Sequence, residues 1–419
     1  MDDKSKTPLA GEAGAGRDPG KSSASPKSRR GLDWFVFFVA DVQTGFGPLV
    51  AVYLTAQKWT QTDIGLILTV GGLIALFGQI PGGAILDAMR SPRMAAGLSV
   101  FIIGISALML ALWPIFPIVL ASRILQASAS CILSPAIAAL SLGLVPRTEI
   151  GERLGRNASF ASVGTGLAAA GMGVSGYYIS NQAVFFVTAA FVLPALIALF
   201  QINVQEIDPE KAHGGAQKQP LNLSVILQLL TNRTLVIFAF CVLLFHLANA
   251  AMLPLVASML TLRSSESSAA LIAVAMVVPQ FIVAIVSPTI GRKSQAWGRR
   301  PLLLIGFTAL VIRAILFAAV TPSQLVVVVQ ILDGISAAAL GVLVPLTLAD
   351  ITRETGRFNL TQGLVGCAMG IGAAISTTLA GFLSDRFSSY VTFLSLGSIA
   401  AIGLLAVWIF MPETRPERD

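Results

Sequence analysis

Apolar runs of about twenty residues, separated by short polar turns, recur along the chain once its first thirty residues are passed. Twelve such segments stand at 34–56, 62–86, 94–113, 116–143, 159–180, 183–203, 233–260, 268–290, 301–320, 325–348, 360–383 and 391–411. A helix rises about 1.5 Å per residue, so roughly 20 apolar residues cross about 30 Å of hydrocarbon. The pattern predicts an all-α membrane protein of twelve transmembrane helices. One connection is long: the polar stretch 204–232 divides the spans six and six. The expected organisation is a tail at 1–33, an N-terminal six-helix bundle at 34–203, a linker at 204–232, a C-terminal six-helix bundle at 233–411 and a short tail at 412–419.

Composition agrees. Hydrophobic residues make up 55% of the chain and charged residues 12%, against about 25% charged in soluble domains. The net charge of +7 is explained by where the cations fall. With both termini in the cytosol, 23 of the 28 Lys and Arg lie in cytosolic segments and only Lys58, Arg263 and Arg386 lie outside. Arg123 and Arg313 sit within spans. Positive charge concentrates on the cytosolic side of membrane proteins, so the bias sets the orientation and requires no nucleic-acid partner. Residues 1–30 are rich in Gly, Ser, Pro and Lys without an apolar core, the composition of a disordered tail and not of a signal peptide. Cys131, Cys241 and Cys367 lie inside apolar runs with no metal-ligand spacing.

The two halves share landmarks in the same order. Gln43 precedes PLVAVYL (48–54) in span one, and Asn249 precedes PLVASML (254–260) in span seven at the same distance. RILQ (123–126) in span four is mirrored by QILD (330–333) in span ten, and GRN (155–157) by GRF (356–358). A duplicated six-span unit predicts two bundles related by a pseudo-two-fold along the membrane normal, with a site between them.

On these residues the chain resembles the major facilitator superfamily, over nearly everything from about 34 to 411. The loop after span two reads GGAILDAMRSPR, where the family pattern is Gly-x-Leu-Ala-Asp-Arg-x-Gly-Arg-Lys. Gly83 and Asp87 match, and Arg90 and Arg93 keep the basic character. The second copy reads GRKSQAWGRRP: Gly298, Arg299 and Arg300 match, but Gln295 replaces the acid. The resemblance implies that these eight residues form a cytosolic gate. In span four, Leu120, Arg123 and Gln126 fit Leu-x-x-x-Arg-x-x-Gln-Gly, with Ala127 in place of Gly. The Gly-Pro-x-x-Gly-Gly signature of drug antiporters is absent from span five, where GTGLAAAGMGVSG (164–176) has glycines without the proline.

Asp41 lies inside span one, where an ionised side chain costs roughly 2.5–3.5 kcal/mol near the bilayer centre. Such an acid faces a cavity or a partner, and proton binding is the expected role; a structural ion pair is the alternative. The resemblance places spans one and four in one half-cavity, which makes Arg123 the candidate partner. Arg123 also suits an anionic group of a solute, or helix carbonyls. Asp333 and His246 are the corresponding proton-coupling candidates of the second half, since an intramembrane acid defaults to function and histidine titrates near neutrality. Gln43, Gln126, Asn249 and Gln330 are candidates to line the substrate cavity. Arg313 is expected to serve structure, with Asp333 as a partner. Gly71, Gly72, Gly164, Gly166, Gly171 and Gly173 are expected at close helix crossings, and Thr60 with Asp63 at the start of span two as a capping box.

Together these readings predict a secondary transporter of a small organic solute that works by alternating access, with proton-coupled efflux ahead of proton-coupled uptake. A membrane receptor or assembly partner is the rival of another class. No nucleotide-binding motif, catalytic constellation or metal cluster is present, and the two histidines are His213 and His246, so neither an enzyme nor a cofactor is expected. The expected partners are the solute, protons and the bilayer, with no nucleic acid. The expected form is a monomer in a bacterial inner membrane with both termini cytosolic.

Overall fold

The computed structural model describes residues 24–44, 46, 49–89, 91–215, 223–263, 268–320, 322–353 and 355–416. Its first half holds α1 (Pro26–Thr44), α2 (Leu49–Ala56), α3 (Gln61–Phe77), α4 (Gln79–Ala88), α5 (Pro92–Leu112), α6 (Phe116–Leu144), α7 (Ile150–Tyr178) and α8 (Ala183–Phe200). Two short helices, α9 (Pro209–His213) and α10 (Leu223–Thr231), occupy the connection. The second half holds α11 (Arg233–Asn249), α12 (Met252–Arg263), α13 (Ser268–Trp297), α14 (Arg299–Ala319), α15 (Ser323–Ile351), α16 (Phe358–Arg386) and α17 (Ser389–Phe410). Counting α1–α2, α3–α4 and α11–α12 as single broken columns gives two six-helix halves, as the hydropathy pattern predicts. Among the described residues nine helices are long and apolar enough to cross a membrane, or ten with the bent pair α3–α4. The other two columns are α1–α2, interrupted at its centre, and α7, whose first two turns carry Glu152, Arg153 and Arg156.

The breaks have local causes. Pro81 has no N–H to give the Phe77 carbonyl, so a straight helix cannot run through it. α3 instead closes at Gly78, whose N–H reaches the Ile74 carbonyl at 2.8 Å, and α4 leaves at 50°. In the same way Pro254 sits three residues into α12, directly after the break that ends α11. The polar groups freed at such a break find partners inside the protein, as hydrocarbon demands: the Ala251 N–H donates to Ser376 Oγ of α16 at 3.0 Å. At the head of α3, Thr60 Oγ1 accepts from the Asp63 N–H at 3.1 Å and donates to its carboxylate at 2.7 Å, the expected cap.

The ordered chain begins earlier than the apolar pattern suggests. The tail expected at 1–33 is helical from Pro26, and Asp33 is 2% exposed because Arg153 and Arg156 of α7 both bind its carboxylate, Arg156 at 2.7 Å. Residues 1–23 of that tail, and 417–419 of the C-terminal one, lie outside the described residues.

The halves meet on the side that carries both termini. There Gly151 packs against the Gly291 carbonyl, Gly155 against that of Ser287, and Gly83 against that of Asn359. Ser159 Oγ donates to the Ala284 carbonyl at 2.7 Å across the same seam. Elsewhere the glycines are less crowded: a Cβ added at Gly65, Gly72, Gly166, Gly171, Gly341 or Gly381 would meet no atom within 4 Å among the described residues. Of the glycines expected at close crossings, Gly164 does meet the Phe37 carbonyl and Gly71 lies under Arg123, while Gly72, Gly166 and Gly171 face open space. Gly173 lies outside the described side chains. Small residues are needed where the halves touch this closely. A valine in place of Gly83 overlaps backbone of the other half, and overpacking of this kind costs about 1–3 kcal/mol, roughly a 5–150-fold shift against the closed seam. A water-soluble maleimide is therefore expected to label a cysteine at Ser287, buried in the seam, faster in Gly83→Val protein; an unchanged rate contradicts the clasp.

Candidate functional site

The membrane-depth polar residues fall into two groups, one in each half. In the first half, α1 carries Asp41 four residues before the break and α6 carries Arg123 and Gln126. Arg123 Nη1 donates to the Phe46 carbonyl at 3.2 Å and to Gln126 Oε1 at 2.8 Å, and its guanidinium carbon lies 5.9 Å from the Phe46 ring centroid. Gln126 passes the chain on to Ser130 Oγ at 3.0 Å. The arginine thus serves the Phe46 carbonyl, which lies between the two helices. Gln43 is half-buried, and its own carbonyl accepts the Phe46 N–H at 3.2 Å within that turn.

Asp41 is 2% exposed and, among the described residues, makes no hydrogen bond or ion pair. The expected Asp41–Arg123 contact is not formed here, because the guanidinium is taken up by Phe46 and Gln126. Every other buried carboxylate among the described residues is partnered: Asp33 by two arginines, Asp87 by a helix N-terminus, Asp333 by Arg313 and Asp350 by Arg299. Asp41 stands apart.

In the second half the balance is reversed. Arg313 of α14 is 1% exposed and donates from Nη1 to Asp333 Oδ1 at 2.6 Å and to Asn249 Oδ1 at 2.5 Å. This joins α11, α14 and α15 through a closed ion pair, and the Arg313–Asp333 partnership is the one expected from sequence. His246 lies one turn before Asn249 on α11, its Nε2 buried without a partner and its ring edge-on to Phe245 at 5.5 Å. Gln330 is not a cavity residue. It is fully buried, and its Nε2 donates to the Ala275 carbonyl at 3.0 Å, fastening α15 to α13.

The gate residues divide in two. Asp87 of α4 reaches across the seam, accepting from Asn359 Nδ2 at 2.7 Å and the Leu360 N–H at 2.9 Å. A carboxylate at a helix N-terminus satisfies orphan N–H groups and meets the positive end of the dipole, so Asp87 caps α16 of the other half. Gly83, one turn earlier, allows the two backbones to touch. Arg93 does not bridge the halves. It donates to the Phe200 carbonyl at 3.2 Å and lies over the Phe200 ring, closing the end of α8 within its own half. Arg90 lies outside the described residues. Gly298, Arg299 and Arg300 form a separate latch inside the second half: the Arg299 and Arg300 N–H groups donate to the Glu413 carboxylate at 2.8 and 3.1 Å, and Arg299 Nε pairs with Asp350 at 2.7 Å. Gly298 has φ +94, and its near contact with Glu413 leaves no room for a side chain. Gln295 offers its carbonyl to Arg415, and its side-chain Nε2 has no partner.

Sequence reasoning missed several residues of this apparatus. Asp33 was counted in the tail, and Asn359 carries no motif of its own. His213 was considered only as one of two histidines, yet its ring nitrogens sit 2.8 Å from the Pro209 carbonyl and 3.1 Å from that of Met89, tying α9 to the loop after α4. Arg156 and Asn157 were noted only as repeat landmarks in GRN; Arg156 pairs with Asp33 at 2.7 Å, and Asn157 Nδ2 donates to Ser141 Oγ at 2.6 Å.

The contrast between halves has a measurable consequence. Asp333→Asn leaves Arg313 buried without a counter-charge, which is expected to cost about 3–5 kcal/mol of stability. Asp41→Asn removes a charge that has no partner, so its effect on folding is expected to stay within about 1 kcal/mol. Thermal unfolding of the two purified variants checks this, and equal destabilisation contradicts it.

Comparison with known proteins supplies the family. The Major Facilitator Superfamily model matches residues 34–265 and again 238–419, a copy for each half. An uncharacterised MFS-type transporter of Mycobacterium tuberculosis is 36% identical over 399 residues, covering 93% of this chain and 94% of that one. A chloramphenicol resistance protein of Pseudomonas aeruginosa is 33% identical over 131 residues, 30% of each chain. Among solved structures, the transporter FucP in the outward conformation superposes with a TM-score of 0.72 at 15% identity, covering 93% of this chain and 99% of its own. The chain belongs to the Major Facilitator Superfamily: it is an integral membrane transporter, not an enzyme.

Proposed function

We propose that this transporter exports a small organic solute in exchange for protons, and that Asp41 is the residue that carries the proton. The single observation behind this reading is the carboxylate itself, buried at membrane depth and without a partner among the described residues. An ionised side chain there costs roughly 2.5–3.5 kcal/mol. A bound proton removes that cost, and so does a cation brought up by rearrangement of the cavity.

Arg123 is the cation within reach of such a rearrangement, since it comes from the same half and its present partners are a break carbonyl and an amide. In the proposed cycle Asp41 is protonated while the halves part on the side away from the termini. Rocking to the other arrangement straightens the turn at Phe46, frees the guanidinium and lets it displace the proton. Arg313–Asp333 stays closed throughout and holds its half as a rigid body. The driving force is sufficient: a charge crossing the potential supplies about 2.3 kcal/mol per 100 mV.

The location of Lys and Arg supports a cytosolic position for the side with the termini, and on that reading the present arrangement is outward-facing. The mycobacterial relative supports a bacterial inner membrane as the setting. Export is favoured over uptake by the segment similar to a chloramphenicol resistance protein.

The test is purified protein in liposomes with an imposed pH gradient and a panel of amphenicols and other small organic compounds. At least one compound is expected to dissipate the gradient in wild-type vesicles. Asp41→Asn protein is expected to bind the same compound, by thermal shift, and to move no protons. Solute flux that ignores the gradient, or an active Asp41→Asn variant, overturns the reading.

A further inference from the structure

A cavity of about 630 Å³ opens between the halves on the side carrying the termini, far in sequence and in chemistry from Asp41. Its lining gathers cations from five separate segments: Arg147 before α7, Lys211 of α9, Arg299 of α14, Arg353 after α15 and Arg415 of the C-terminal tail. Asp350 is the one carboxylate among the lining residues, and it is taken up by Arg299 at 2.7 Å. Lys211 is paired with Asp208 at 3.0 Å. Arg147 and Arg353 form no salt bridge among the described residues, although Arg353 lies near enough to Asp350 to act on its charge, and Arg147 Nη2 reaches the Arg353 carbonyl at 3.4 Å and so brings the two together across the seam. Gln295, which stands where the family pattern has an acid, lines the same cavity, and its buried Nε2 donor has no partner. The substitution therefore removes a negative charge from a place already rich in positive ones.

Like charges held together repel, and a concave wall of guanidinium groups concentrates that field. An anion relieves it. Guanidinium groups match phosphate oxygens two at a time, and the volume suits a small ligand or headgroup. We propose that this cavity is a binding site for a phosphate-bearing anion held between Arg147 of the first half and Arg353 of the second. Because one guanidinium comes from each half, the bound anion ties the halves together on this side, and it favours the arrangement in which the seam is shut. The phosphate arrives either on an anionic lipid or as a free phosphate from the aqueous phase. The site does not depend on the proton reading of Asp41.

The experiment uses the full-length purified protein and reads its thermal unfolding midpoint. In detergent it is titrated with inorganic phosphate against chloride at equal ionic strength; in nanodiscs, discs containing phosphatidylglycerol are compared with discs of phosphatidylcholine alone. A rise with inorganic phosphate identifies a free anion, and a rise confined to the phosphatidylglycerol discs identifies a headgroup. Arg147→Gln/Arg353→Gln protein is expected to lose the response, with apparent affinity weakened about tenfold or more. Both side chains are exposed, so the fold is retained; Arg353→Gln alone, expected to give an intermediate loss, serves if the double variant is poorly behaved. No rise with either probe, or an equal rise in wild type and variant, overturns the proposal.

Discussion

Hydrocarbon offers no water to a buried charge, so each ionic group at membrane depth has to be satisfied within the protein. Most of this structure can be read as the working out of that constraint. Arg313 is closed onto Asp333 and Asn249, and Arg123 onto the carbonyl at a helix break. Asp33 takes two arginines. Among the described residues, the buried carboxylate left without a partner is Asp41. The two halves descend from a common pattern, yet one holds a closed ion pair and the other, among the described residues, a buried acid without a partner and an arginine held by a carbonyl and an amide.

The same constraint links the broken helices to the site. The breaks in the first and seventh columns fall at corresponding places, and each frees backbone groups that must be met by side chains. In the first column the partner is a charged residue, Arg123, which donates to the Phe46 carbonyl. In the seventh it is the neutral Ser376, and no charge moves. The seam on the side of the termini adds the mechanical element: glycine-to-backbone contacts and the Asp87 cap on α16 join the halves tightly, but through few enough groups to be released together.

The spans were legible in the sequence because a bilayer requires long apolar runs, and the landmarks after Gln43 and Asn249 disclosed the repeat. The breaks were not read from those landmarks, although a proline one turn past each position is their cause in the seventh column. Asp41, Arg123, Asp333 and Asp87 were visible as charges or motif residues in unusual places. Gln330 was misassigned because helical position does not say whether an amide faces a cavity or a neighbouring helix. Asp33 was missed since polar flanking sequence hid the first two turns of α1. Arg93 was expected in the cytosolic gate, and its guanidinium reaches the carbonyl end of α8. Contacts that depend on which helix lies opposite are not written in hydropathy.

The central claim is that Asp41 exchanges a proton during the cycle, and the most direct measurement is the number of protons released when solute binds to purified protein in weakly buffered solution. The account predicts about one proton per solute bound for wild type, and none for Asp41→Asn at equal occupancy. The same release from both proteins would contradict it.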